Sequence, residues 1–250
     1  MKFSTFILTI SAAACISAQN TTNTNATRTA ELLEGLQKAP TRLARLNVLG
    51  ENTDWLFDFT SGLGTTRSAG GNVTAANVAN FPALFANGLA MTIGQMEPCG
   101  MNTPHTHPRA TEILYLVNGE MEAGFIEENG ARFVKNTLTK GQGTLFPQGS
   151  IHYQTNTGCD PVLFVAVLNN EDPGSSQIAQ RFFGLPPNVT QATLGDIGLQ
   201  EVNDLSTGIP DSMAIGLDQC LQKCGLTRGN QTMGQQQPRT SDNALSLNMK

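Results

Sequence analysis

Charge is scarce in this chain. Only 14% of its 250 residues are Asp, Glu, Lys or Arg, where an ordinary soluble domain carries about a quarter. Long, solvated, salt-bridged helices are therefore not expected to dominate it. No cluster of Lys and Arg occurs and the net charge is −5, so nucleic acid is not an expected partner, since its binding rests on neutralising phosphates. No apolar run approaches the roughly 20 residues that cross a bilayer. Aromatic residues make up only 6%, with one Trp, and there are three histidines. What the chain has instead is 25 Gly, 12 Pro and a 39% hydrophobic content. That combination favours short strands and turns around a real core. The length suits one domain with appended segments.

The start, "MKFSTFILTISAAACISAQN", places one Lys before a short apolar run that ends in small residues. This reads as a secretory signal over 1–18, cut after Ala18. Secretion gives meaning to five N-x-T triplets, headed by Asn20, Asn25, Asn72, Asn188 and Asn230, each a glycan acceptor expected at the surface. Cys15 leaves with the signal, and Cys99, Cys159, Cys220 and Cys224 remain. Four cysteines in an oxidising compartment read as two disulfides with three connectivities. Cys220 and Cys224 are one helical turn apart, and Cys99 and Cys159 flank the motifs described below. The expected pairs are Cys99–Cys159 and Cys220–Cys224.

Residues 19–80 read as an N-terminal arm. Within it, "TRTAELLEGLQKAP" (27–40) has helical apolar spacing and stops at Pro40, and "DWLFDF" (54–59) reads as a short strand. Residues 81–175 change character. "GLAMTIGQME" alternates, and "EILYLV", "EMEAGFIE", "RFVKNTL", "GTLFP", "IHYQT" and "PVLFVAVLN" follow between Gly, Pro and Asn turns. Such a series indicates an all-β sandwich or barrel. Residues 176–226 read as short helices ended by Gly or Pro, and 227–250 as a polar, flexible tail.

Every histidine falls in one of two short phrases, "HTHPRATE" (105–112) and "GQGTLFPQGSIHYQTN" (141–156). Residues two apart on a strand share a face, so His105 and His107 point together if that stretch is extended, as Pro104 and Pro108 favour. A turn at "PRAT" would bring Glu112 onto an adjacent strand, and His152 would come from a third strand opposite. Three imidazoles and a carboxylate would bind a first-row divalent metal and leave positions open for water, dioxygen or substrate. The blander alternative is two histidines on a polar strand face. Phe125, Phe146 and Phe164 read as core, Arg109 as a residue that orients its turn or pairs structurally, and Met91 and Leu114 as either pocket lining or core. "KGQG" (140–143) lacks the ending of a phosphate loop.

"GMNTPHTHPRATEILYLVNG" resembles the first germin box of the cupin superfamily, and "GQGTLFPQGSIHYQTN" resembles the second. The likeness runs from about 80 to 190 and takes in "FPALFANGLAM", "NNEDPG" and "FFGLPP". The family includes plant germins and the spherulins of slime moulds and fungi, and this chain looks like a microbial, fungal member with a single cupin domain. The resemblance implies a jelly-roll β-barrel with an N-terminal arm and short C-terminal helices. It implies manganese (Mn2+) held by His105, His107, Glu112 and His152, and a substrate-facing Asn102. A second pocket asparagine of the oxalate-oxidising germins aligns with Thr92, a departure that speaks against oxalate. Trimers or hexamers are implied too. Three functions follow: a secreted manganese oxidoreductase acting on superoxide or a small carboxylate such as oxalate; a non-enzymatic extracellular or spore- or cyst-wall protein stabilised by its metal; and a cupin enzyme with a wider mouth for a larger metabolite.

Overall fold

The computed structural model describes residues 26–195, 197–210 and 212–228. The expected signal, the acceptors Asn20, Asn25 and Asn230 and nearly all of the tail lie outside them. Helix α1 covers 26–38, close to the span its apolar spacing predicts. It buries Leu36 against Leu49 and Ala83, with Leu32, Val48 and Phe81 around them. Helix α2 (Arg42–Val48) follows, and the Thr41 hydroxyl caps it by accepting from the Ala44 amide.

The strand expected at 54–59 is not one. Asn52–Trp55 form a 3₁₀ turn. Asp54 explains the difference: it accepts the Glu51 amide at 3.0 Å and pairs with Arg28 at 2.6 Å. A buried carboxylate tied to its own turn and to α1 favours the turn over an extended strand.

Two antiparallel sheets carry the fold, as the all-β expectation requires. The strands are β1 (Thr65–Ser68), β2 (Gly71–Ala76), β3 (Ala90–Met96), β4 (Gly100–Thr106), β5 (Glu112–Asn118) and β6 (Glu120–Ile126). After them come β7 (Val134–Thr139), β8 (Gly143–Phe146), β9 (Ile151–Thr155), β10 (Val162–Leu168), β11 (Ser176–Gln177) and β12 (Met213–Ile215). The first sheet has the order β1-β2-β3-β10-β5-β8; the second has β11-β4-β9-β6-β7, with β12 also on β4. Consecutive strands often sit in different sheets, which is the jelly-roll arrangement.

Met96, Leu114, Leu116, Met121, Phe146 and Phe164 fill the space between the sheets. Phe125 is partly buried against them. Gly94 makes room for Phe164: a Cβ there would stand 2.0 Å from the ring. Met91 is not a pocket residue. It pairs with Val167, which faces outward, whereas Leu114 is fully buried inside.

β1 and β2 lie within the segment expected to be an arm, and β2 pairs along β3. Helices α3 (Ile178–Phe182), α4 (Pro187–Thr193), α5 (Leu199–Gly208) and α6 (Asp218–Lys223) form the C-terminal segment. β12 interrupts them and returns to β4, placing Met213 opposite Asn102 and in the main core. Of the described acceptors, Asn188 is exposed and Asn72 is half-buried on β2.

The disulfides correct the expected pairing. They join Cys99 to Cys220 and Cys159 to Cys224. Cys220 and Cys224 share one face of α6 and its end, and that face lies on the barrel where the β3–β4 turn offers Cys99 and the β9–β10 loop offers Cys159. Each cysteine meets a barrel loop rather than its helical neighbour, and the two bridges touch, with the Cys99 and Cys224 sulfurs 3.7 Å apart.

Candidate metal centre

Four side chains that are far apart in sequence converge between the sheets. His105 is buried on β4 and lies directly across from His152 on β9. A break in register between Asn102 and His105 re-aims the strand, so residues three apart both serve the interior. His107 stands one residue past the end of β4. Glu112 is the first residue of β5, in the facing sheet. The expected placement is thus reversed in part: the third imidazole comes from the neighbouring strand and the carboxylate from the opposite sheet. The ligand atoms of all four lie within 4.8 Å of one another.

Each imidazole is oriented by the main chain. Nδ1 of His105 faces the Thr103 carbonyl at 2.9 Å, that of His152 faces the Ser150 carbonyl at 3.0 Å, and that of His107 faces the Gly174 carbonyl at 2.6 Å. A carbonyl only accepts, so the proton sits on Nδ1 in all three rings. Every Nε2 is thereby turned toward the common centre. His152 Nε2 is buried there without a hydrogen-bond partner among the described residues. A buried, unpartnered acceptor beside a carboxylate is costly, and a cation relieves it. The donor set therefore fits a divalent first-row metal.

The electrostatics agree. Burial, with His152 beside it, pushes His105 down to about 3, so it stays neutral. Burial alone would raise Glu112, but the His107 hydrogen bond at 2.9 Å and the neighbouring imidazoles outweigh it and hold the carboxyl well below its usual range. Burial works against a charged His107 as well, yet the bond to Glu112 raises it overall.

Asn102 is half-buried on β4 and donates from Nδ2 to the Gln154 Oε1 at 2.9 Å. Gln154 was not singled out by sequence reasoning. The signal was its place two residues after His152, hence on the same inward face. It is almost wholly buried, and its Nε2 has no hydrogen-bond partner among the described residues. Thr92 lies across β10 from Leu114, with Ala166 between them, so it also faces the interior.

Residues 59–196 match the cupin family. The chain is 46% identical to Spherulin-1B of Physarum polycephalum over 199 residues, which span 79% of this chain and 80% of that protein. It is 40% identical to Germin-like protein 1-3 of Oryza sativa subsp. japonica, over 56% of this chain and 63% of that protein. A solved structure of oxalate oxidase with the substrate analogue glycolate superposes with a TM-score of 0.58 at 27% identity, covering 64% of this chain and 82% of that one. The Bacillus subtilis oxalate decarboxylase shares the fold, at 23% identity and a TM-score of 0.55 over 61% of this chain and 39% of that one.

Proposed function

Because the chain belongs to the cupin family, we propose that it is a secreted, manganese-binding germin-like protein that acts as an oxidoreductase on superoxide or on a small carboxylate such as oxalate. His105, His107, Glu112 and His152 hold the metal. The observation that carries this reading is the shared ring orientation: three main-chain carbonyls accept from Nδ1–H and turn three Nε2 atoms toward one carboxylate. Bound manganese supplies one-electron redox chemistry and open positions for a small ligand.

Charge selects that ligand. Metal coordination at Nε2 would keep all three imidazoles neutral, so with one carboxylate a divalent ion would carry one net positive charge in a buried site, where an anion is attracted strongly. The chain's own polar groups then orient it. Asn102 and Gln154 form one amide pair, and the unpartnered Gln154 Nε2 supplies donors for an anion's oxygen. Phe146 and Leu114, both fully buried, exclude water from the interior side. Likeness to oxalate oxidase at 27% identity supports a carboxylate substrate; Thr92, which lacks an amide, supports superoxide.

Secretion is supported by the pairing of all four cysteines among the described residues, since disulfides persist in oxidising compartments. Self-association is supported by the outer face of the first sheet. Leu145, Ile113 and Val167 lie side by side across β8, β5 and β10 there, with Tyr115 and Val165 beside them. None of these is charged. One observation favours the second reading, a wall protein whose metal is only structural: the Asn102 amide nitrogen is already engaged by Gln154.

The test is elemental analysis of the purified protein, with superoxide and oxalate turnover measured on the same sample. About one manganese per chain with turnover on either substrate is expected. Metal without turnover on either favours the wall protein. Retention of full metal by His107→Ala would refute the ligand assignment.

A further inference from the structure

We infer that Arg109 is a positioning residue for His107, acting through the segment 172–174. The inference rests on the metal-centre reading above. His105 and His152 are oriented locally: each Nδ1 meets a carbonyl two residues upstream on its own strand or the turn that leads into it. His107 has no such partner. The carbonyl it uses belongs to Gly174, 67 residues away, between β10 and β11. The aim of this one ring therefore depends on where a distant loop is held.

Arg109 holds that loop. Its Nε donates to the Asp172 carbonyl at 2.6 Å, and its Nη2 pairs with the Asp172 carboxylate at 2.9 Å. Its main-chain amide donates to the Pro173 carbonyl at 3.1 Å. In return the Asn170 side chain donates to the Arg109 carbonyl at 3.1 Å and accepts from the Asp172 amide at 2.8 Å. Gly174 completes the fit. Its φ is +68°, and a Cβ there would lie 2.9 Å from Arg109 Nη2, so the guanidinium lies against the glycine. On the far side of Gly174, Ser176 pairs with Thr106 of β4. The Gly174 carbonyl is thus fixed between a strand register and the Arg109 fork.

The ion pair itself is exposed on both sides, and exposed pairs add little stability. What Arg109 contributes is geometry. Its planar fork engages a carbonyl and a carboxylate at once, which the point charge of a lysine does not reproduce. Partners behind a metal-ligating imidazole typically change affinity about 10–100-fold when removed.

The experiment uses the full chain as wild type, R109A, R109K and D172N. In metal-free protein, ring nitrogen NMR reads the Nδ1–H signal of each histidine. R109A should lose or shift the His107 signal and leave those of His105 and His152 in place. Chelator competition with Mn2+ should show affinity about 10–100-fold weaker in R109A. R109K should recover less than half of that loss on a logarithmic scale. D172N, which keeps the carbonyl and an acceptor oxygen, should stay close to wild type. Wild-type His107 signals and wild-type Mn2+ affinity in both R109A and R109K would overturn the inference. If R109A does not fold, R109K decides alone. A wild type that binds no Mn2+ refutes the metal-centre reading, and the metal-free NMR still decides whether Arg109 orients His107.

Discussion

Phe146 lies nearly parallel to His152, with ring centroids 4.4 Å apart and an interplanar angle of 17°. The same residue pairs with Glu112 across β5 and β8. One buried ring thus starts from the strand position across from Glu112 in the first sheet and stacks on an imidazole of the second. Phe146→Ala should destabilise the protein by about 3–5 kcal/mol, read from urea unfolding. Phe146→Leu should fold and still bind manganese more weakly, because the flat face against His152 is gone. Wild-type affinity in the Leu variant would show that packing there does not aim the ligand.

The amide pair separates chemistry from stability. Gln154→Leu strands the Asn102 donor, a loss of about 1–3 kcal/mol when nothing compensates. It also removes the Gln154 Nε2, which has no hydrogen-bond partner among the described residues. The two effects oppose each other, so the melting temperature should shift by only a few degrees while metal content is unchanged. Turnover on the anionic substrate should fall by about 10²-fold if Gln154 donates to it, the loss seen when one preorganised donor is removed. Unchanged kcat/KM would place the pair outside the substrate pocket.

Much of the barrel could be read from residue alternation. "EILYLV" buries Leu114 and Leu116 and exposes Ile113 and Tyr115, the period-2 pattern of a half-buried strand. The convergence of His105, His107, Glu112 and His152 was legible because His-x-His in an extended stretch leaves little freedom. β1 and β2 were not: "TTRS" is short and polar, "GNVTAA" is short and built of small residues apart from Asn72 and Val73, and the turn between them depends on contacts formed only on folding. A Cβ at Gly70 would stand 1.9 Å from the Ala214 carbonyl oxygen, 144 residues later. The disulfides failed for the same reason, since docking of α6 decides which sulfurs meet. Gln154 escaped notice because glutamine type carries no signal of its own, only its offset from His152.

Acidification should destabilise the metal-free protein. His105 sits at about 3 when folded, against an ordinary 6.5. Between those values the unfolded chain binds a proton there that the folded chain refuses, so stability falls as pH drops below about 6.5. Glu112 is also held below its ordinary 4.5, so its contribution is present above that pH and is lost as pH falls further. His107 acts oppositely: it is raised, so its contribution is complete below 6.5 and disappears as pH rises through its folded value. Urea midpoints at pH 7, 5.5 and 4.5 should decline in that order. No decline between pH 5.5 and 4.5, where the His107 contribution is complete, would mean that the folded chain protonates His105 as readily as the unfolded one.

The sulfur cluster makes a prediction about order of reduction. Non-reducing peptide mapping should recover Cys99–Cys220 and Cys159–Cys224. Cys159 is exposed, whereas Cys99 has no accessible surface and Cys220 only 7%. A mild thiol reductant should therefore open Cys159–Cys224 first, and alkylation should label those two residues. Removing Cys99–Cys220, which spans 121 residues, should cost about 4–5 kcal/mol by loop entropy. Early labelling of Cys99 or Cys220 would contradict the arrangement.

Thr92 offers the test that divides the two candidate substrates. Its cross-strand partners are Ala75 on β2 and Ala166 on β10, both small, so an asparagine has room to replace the threonine without the 1–3 kcal/mol or so that overpacking a tight core brings. The new amide would face the same interior as Asn102 and Gln154 and could hold a second carboxylate oxygen. Thr92→Asn should raise kcat/KM for oxalate at equal manganese content, and superoxide turnover, which needs no such grip, should change little. A rise in oxalate turnover alone would identify position 92 as the residue that keeps this chain from oxidising oxalate well. No change in either would mean that the interior face of β3 does not reach the substrate, and the choice between substrates would then rest with Asn102 and Gln154.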